Sequence, residues 1–96
     1  MRDYILLMHN DGGDTKSDDW NTYIDRMNQS GNFEGGSSIG GGVCISKTGV
    51  SNVITKYLSG YIRIKAMDVE HAQELLQGNP VFEAGGTVEI RELTRS

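Results

Sequence analysis

With one cysteine in 96 residues, an intrachain disulfide is excluded. That fits a reducing compartment. Cys44 stands between Val43 and Ile45 in an apolar run. It reads either as a small buried hydrophobe, the common state of a free cysteine, or as a nucleophile. A nucleophilic cysteine wants a nearby His or a helix N-terminus, and neither adjoins it in sequence. Positive charge is also scarce: nine Lys and Arg stand against 13 Asp and Glu, for a net charge of −4. The cations form no cluster. Binding to a phosphate backbone needs several converging cations, so nucleic acid is excluded as a partner. Long apolar runs are missing too. The run at residues 4–8 is far too short to span a membrane or to serve as a signal h-region with a small-residue exit. No membrane association is expected, and the expected location is cytoplasmic.

Hydrophobic residues make up 36% of the chain, and Gly contributes 13 of the 96 residues. One domain spanning 1–96 is expected, with a lean core and marginal stability. Burying a second surface by self-association would offset that shortage, so a dimer is expected.

The apolar run at 4–8 suits a central strand covered on both faces. Residues 9–14, His-Asn-Asp-Gly-Gly-Asp, have loop composition. Trp20, Tyr23, Ile24 and Met27 then fall at i, i+3, i+4 and i+7, one apolar face of a helix. Ser17 can cap it, Asp18 and Asp19 suit its first turn, and Gly31 can end it. A helix over 17–30 is therefore expected. Phe33 opens a segment interrupted by Gly35-Gly36 and by Gly40-Gly41-Gly42. A short strand is expected over 43–45 and a turn at 47–49. Residues 50–58 suit either an edge strand or an ordered loop.

Residues 60–67 alternate, with Ile62, Ile64 and Ala66 on one side and Tyr61, Arg63 and Lys65 on the other, which marks a strand with one apolar face. Asp68 caps a second helix whose buried stripe is expected to be Val69, Ala72, Leu75 and Leu76. Gly78 ends it and Pro80 blocks its continuation. Residues 87–93 alternate again, with Val88 and Ile90 opposite Thr87, Glu89 and Arg91. The expected fold class is α+β: a ferredoxin-like βαββαβ antiparallel sheet with two helices on one face. Tyr61, Arg63, Lys65, Glu89 and Arg91 then point away from the helices. That face is either solvated or covered by a partner.

The C-terminal half carries a family resemblance. It reads Gly60-Tyr61-Ile62-Arg63-Ile64, then a helix over 68–76, then Gly78-Asn79-Pro80-Val81-Phe82-Glu83-Ala84-Gly85-Gly86-Thr87-Val88-Glu89-Ile90-Arg91. This resembles the YCII-related family. The strand at 4–8 and the Trp20, Tyr23, Gly31 helix agree with its DGPF-domain branch. The resemblance covers most of the chain and is weakest over 46–58. It implies a dimeric α/β-barrel: a homodimer of two ferredoxin-like protomers with facing sheets, and a pocket in each protomer between sheet and loops. Some relatives are described as lyase- or dehydrochlorinase-like enzymes of aromatic breakdown. Others occur near sigma factors. One branch places an early-helix His with an Asp as an acid–base pair. Here those positions read Trp20 and Asn79, neither of which titrates. The DGPF signature is absent as well, and residues 49–56 read Gly-Val-Ser-Asn-Val-Ile-Thr-Lys.

His9 is the leading candidate for chemistry, because it follows the opening strand where a loop begins and can move protons near neutral pH. Asp11 or Asp14 could orient it. A surface His beside an acidic loop is the plainer alternative. His71 lies off its helix's apolar stripe and reads as solvated, and the two His offer no metal-ligand spacing. Neither a metal nor a cofactor is expected. Ser38 belongs to a Gly-rich run that could form an anion nest. It lacks the dinucleotide and P-loop patterns, and a bulge or a close backbone approach explains its glycines equally. Trp20, Tyr23 and Phe82 suit the core, and Trp20 could also wall a pocket for a flat or apolar ligand. Arg63 or Arg91 could anchor a carboxylate, and Asn79 is a further candidate ligand contact.

Two functions follow. One is an enzyme-like pocket acting on a small anionic metabolite, with His9 as acid–base, Asp11 as its orienter and an Arg as anchor. The other is a non-catalytic dimeric binding or regulatory module, in which the charged sheet face makes ion pairs between protomers.

Overall fold

Alternation fixes which side of each strand meets the helices. In the computed structural model, which describes residues 1–49 and 54–94, β1 (Arg2–His9) buries Tyr4, Leu6 and Met8, and β3 (Leu58–Ala66) buries Ile62, Ile64 and Ala66. β2 (Phe33–Ser38) and β4 (Val88–Glu92) complete a four-stranded sheet in the order β2-β3-β1-β4, every pair antiparallel. This arrangement is compatible with the expected ferredoxin-like plan. β1 is central, as its apolar run suggested. Its second face, however, is only partly covered by the described residues: Ile5 and Leu7 remain half-buried.

α1 (Ser17–Ser30) has the expected bounds. It ends at Gly31, whose φ of 78° is the left-handed conformation that glycine adopts without strain. Ser17 is its first helical residue rather than its cap; the cap position belongs to Lys16, whose side chain makes no capping bond. Tyr23 and Met27 are buried, while Trp20 and Ile24 pack at the edge of the core. The Tyr23 hydroxyl donates to the Leu75 carbonyl at 2.7 Å and so ties α1 to the second helical segment. Burial pushes that phenol above its ordinary pKa.

α2 (Val69–Glu74) is capped as expected, with the Asp68 carboxylate accepting from the His71 amide at 2.8 Å. Ala72 is its buried residue, and Leu76, just past its end, is buried too; Val69 is exposed and does not belong to the stripe. Pro80 does more than stop a helix. It stands at the first position of a third one, α3 (Pro80–Glu83), capped by the Asn79 side chain. The two-helix expectation is thus corrected to three. Phe82, expected in the core, is 45% exposed, while Val81 packs against the core in its place.

The strand expected over 43–45 does not form. Val43 and Ile45 are 80% and 81% exposed, and Cys44 is only half-buried. Without a pairing neighbour the alternating residues have no sheet to join. The turn at 47–49 forms around a Gly49 amide bond to the Ser46 carbonyl. Of the ambiguous 50–58 segment, 50–53 lie outside the described residues, 54–57 are irregular, and Leu58 begins β3. β2 runs through Gly35-Gly36 with a bulge rather than stopping there. Among the described residues, no helix is long and apolar enough to cross a membrane.

The loop after β1 is pinned to the turn before β4. The Gly13 amide donates to the Ala84 carbonyl at 2.9 Å and the His9 amide to the Thr87 carbonyl at 3.0 Å. Gly12 lies so close to this turn that an added Cβ would collide with Gly86, reaching 2.7 Å from its Cα. We predict that Gly12→Ala lowers unfolding free energy by about 1–3 kcal/mol through backbone overpacking. Gly40→Ala, where no atom lies within 4 Å, should stay within about 0.5 kcal/mol. Urea melts of the two variants check the contrast.

Candidate functional site

A cavity of about 600 Å³ opens between α1, the β2–β3 end of the sheet and the loop after β1. It falls within the range of roughly 300–1,000 Å³ typical of small-molecule sites. Its position follows from the sheet register. Gly36 pairs with Ile62, Ser38 with Gly60, and Gly60 in turn with Met8. Ile62 and Met8 face the helices, so Gly36, Ser38 and Gly60 do too. Two of those three neighbouring positions have no side chain, which leaves space between the sheet and α1. At Gly36 the strands also approach too closely for a larger residue, since a Cβ would lie 2.5 Å from the Tyr61 carbonyl oxygen.

The walls are apolar. Trp20 and Ile24 come from α1, Phe33 from the start of β2, Met8 and Ile62 from the sheet, and Val81 from α3. Trp20 meets Tyr23 edge-on, with centroids 6.2 Å apart, and its indole N–H donates to the Thr15 hydroxyl at 3.3 Å. Both contacts limit the ring's orientation. His9, Asn10, Asp14 and several hydroxyls supply the polar part of the lining. The Ser37 hydroxyl donates to the Ser38 carbonyl and the Ser59 hydroxyl to the Met8 carbonyl. Among the described residues, no Lys or Arg belongs to the lining.

His9 is the last residue of β1 rather than the first of the loop. Its Nε2 lies 3.7 Å from a Glu89 carboxylate oxygen, and the other oxygen of Glu89 accepts from Arg91 at 3.0 Å. The carboxylate beside His9 is therefore Glu89. Asp11, expected to orient His9, gives both oxygens to Thr87, accepting from its amide at 2.8 Å and from its hydroxyl at 2.7 Å. This pair holds the Asp11 carboxyl below the usual carboxylate range, the hydroxyl contributing most. Asp11 thus fastens the loop that borders the pocket.

The other expected site residues separate. Trp20 and Ser38 line the pocket with His9. Arg63 and Arg91 are exposed on the opposite sheet face, where Arg63 donates to the Glu34 carbonyl at 3.3 Å. Asn79 is 0% exposed: its amide oxygen accepts from the Phe82 amide at 3.1 Å and its amide nitrogen contacts the Met8 sulfur at 3.7 Å. It caps α3 and stands outside the pocket lining. Sequence reasoning missed Phe33, Ile24, Gly60 and Glu89. The glycines at 36 and 60, inside two strands, were the available signal. The Glu89–His9 approach depends on the β1–β4 register, which no local pattern announces. Among the described residues, no three His, Cys, Asp or Glu side chains gather as a metal site.

A group whose folded pKa is depressed contributes stability above its unfolded pKa, and loses it as pH falls through the folded value. Asp11→Asn should therefore be less stable than the wild type at pH 7, and the difference should shrink below about pH 4 as the wild-type carboxylate protonates. Urea midpoints of both proteins at pH 7 and pH 3 check this.

Against known protein-family models the chain has no match, and no curated protein matches it.

Proposed function

We propose that this chain is a small homodimeric protein of YCII-related type that binds a small molecule in the pocket under α1. The pocket carries the proposal: about 600 Å³, apolar walls from α1, α3 and the strands β1, β2 and β3, and a floor lacking side chains at Gly36 and Gly60. A lean-cored domain of 96 residues that leaves such a volume beside its core forgoes packing, and that cost is understandable where a ligand fills the space.

The dimer is supported by the sheet face away from the helices. By register, Leu7 lies beside Tyr61, and Ile5 beside Arg63 and Arg91. Ile5, Leu7 and Tyr61 form a half-buried apolar centre. Around it stand Arg63, Lys65, Glu89 and Arg91, charges of both signs that a second copy can complement. Pairing two such sheets gives the α/β-barrel arrangement and covers the second face of β1.

One observation favours added chemistry. His9 borders the pocket, and its Nε2 lies 3.7 Å from the Glu89 carboxylate, which belongs to the dimer face, a pairing that can hold an imidazole in place for proton transfer at that face. In this second reading the protein is an acid–base enzyme with His9 and Glu89 as the working pair. The anionic metabolite remains tied to Arg63 and Arg91, which stand on the dimer face, so its carboxylate would be met there.

Sedimentation at micromolar concentration is expected to give a dimer for the wild type and a monomer for Leu7→Glu, which puts a charge at the apolar centre. A wild-type monomer removes the dimer from the proposal. A fragment screen by thermal shift should find compounds that raise the wild-type Tm and leave Ser38→Leu, with its pocket filled, unchanged. Equal shifts in both proteins would move binding elsewhere.

A further inference from the structure

We infer that the pocket is selective for a neutral, planar, ring-containing ligand that lies against the glycine floor; this rests on the pocket being a ligand site. Three features converge on that class. The first is shape. At Gly36 the sheet offers bare backbone, beside the Met8 methyl that lies over Gly60, and opposite stand Trp20 and Ile24 of α1, with Phe33 at the strand start. A flat ring can contact the exposed peptide surface on one side and the aromatic wall on the other, in the offset or edge-on arrangements that aromatic pairs favour. A branched or puckered skeleton of equal size makes fewer such contacts.

The second is charge. Among the described residues the lining has no Lys or Arg, and its carboxylate is Asp14. Asp11, in the same loop, is held ionised by Thr87. A ligand anion would lose its hydration and meet like charge. A ligand cation would find its counter-ions, Asp14 and the Thr87-bound Asp11, exposed on the loop, while the apolar walls strip its water, and burying a poorly paired charge is costly. A neutral ligand avoids both penalties.

The third is polar capacity. The Ser37, Ser59 and Thr15 hydroxyls and the Trp20 N–H already have partners inside the chain. Ser38 is exposed and lines the pocket from the edge strand. It supplies one hydroxyl to a ligand phenol, carbonyl or ring nitrogen. A few polar groups, the Ser38 hydroxyl with Asn10 and His9 at the loop end, and an extended apolar contact suit a ring bearing a single polar substituent.

The test uses four compounds built on the same fused two-ring frame: 2-naphthol, 2-naphthoate, 2-naphthylmethylammonium and decahydro-2-naphthol. Each is titrated at pH 7 into the wild-type chain labelled with ¹⁵N. Amide shifts of Gly36 and Gly60 and the indole N–H of Trp20 report the location. The expected result is that 2-naphthol shifts these signals and binds about tenfold or more tightly than each of the other three, and that Ser38→Leu, its remaining spectrum unchanged, loses the response. If 2-naphthoate or the ammonium compound binds at these signals as tightly as 2-naphthol, the neutral class is overturned while the pocket stands as a ligand site. Equal binding of decahydro-2-naphthol overturns planarity in the same way. If none of the four perturbs these signals, the pocket reading and the ligand class fall together.

Discussion

β1 is the strand on which every other element depends. It pairs with β3 along one edge and β4 along the other, so its backbone groups are used on both sides. Its even residues Tyr4, Leu6 and Met8 form the middle of the core, and its odd residues Ile5 and Leu7 form the middle of the opposite face. A slip of one residue would exchange those two sets. It would also turn the far-face charges of β3 and β4 against a different set of β1 side chains. The pocket inherits its shape from this register, because Met8 opposes Gly60, which in turn opposes Ser38. The loop bordering the pocket is the direct continuation of the same strand.

Legibility in the sequence followed the strength of periodicity. The helix over 17–30 and the strands around 4–8, 60–67 and 87–93 each had several residues repeating at one period, and each formed close to the expected bounds. Val43, Cys44 and Ile45 had strand-forming residues but only three of them, and a strand also requires a neighbour. Pro80 was read as a stop because proline ends helices. Its equally good fit to a first helical turn, with Asn79 capping, is visible only once the chain has turned there. Phe82 and Val81 exchanged roles for the same reason: a four-residue helix is too short to show a periodic face.

The site was legible in part. Trp20, Ser38 and His9, separated by up to 29 positions, do border one cavity. Asp11 was a sound candidate by proximity, yet Thr87 binds it with both an amide and a hydroxyl, and that long-range partner is invisible locally. Arg63 and Arg91 were placed correctly on the face away from the helices, which is what separates them from a pocket on the helix side. Asn79 was singled out through a resemblance, and its side chain is committed to helix capping and to Met8.

The pocket floor draws on the edge strand β2, while the buried core residues of the sheet come from β1 and β3. This divides the sheet into a part that holds the protein together and a part that can vary. Substitutions at Ser38 alter what the cavity admits without reaching Leu6 or Ile64. The cavity's shape can therefore drift among descendants of this chain at little cost in folding, and the central strands can stay constant while the edge is rewritten.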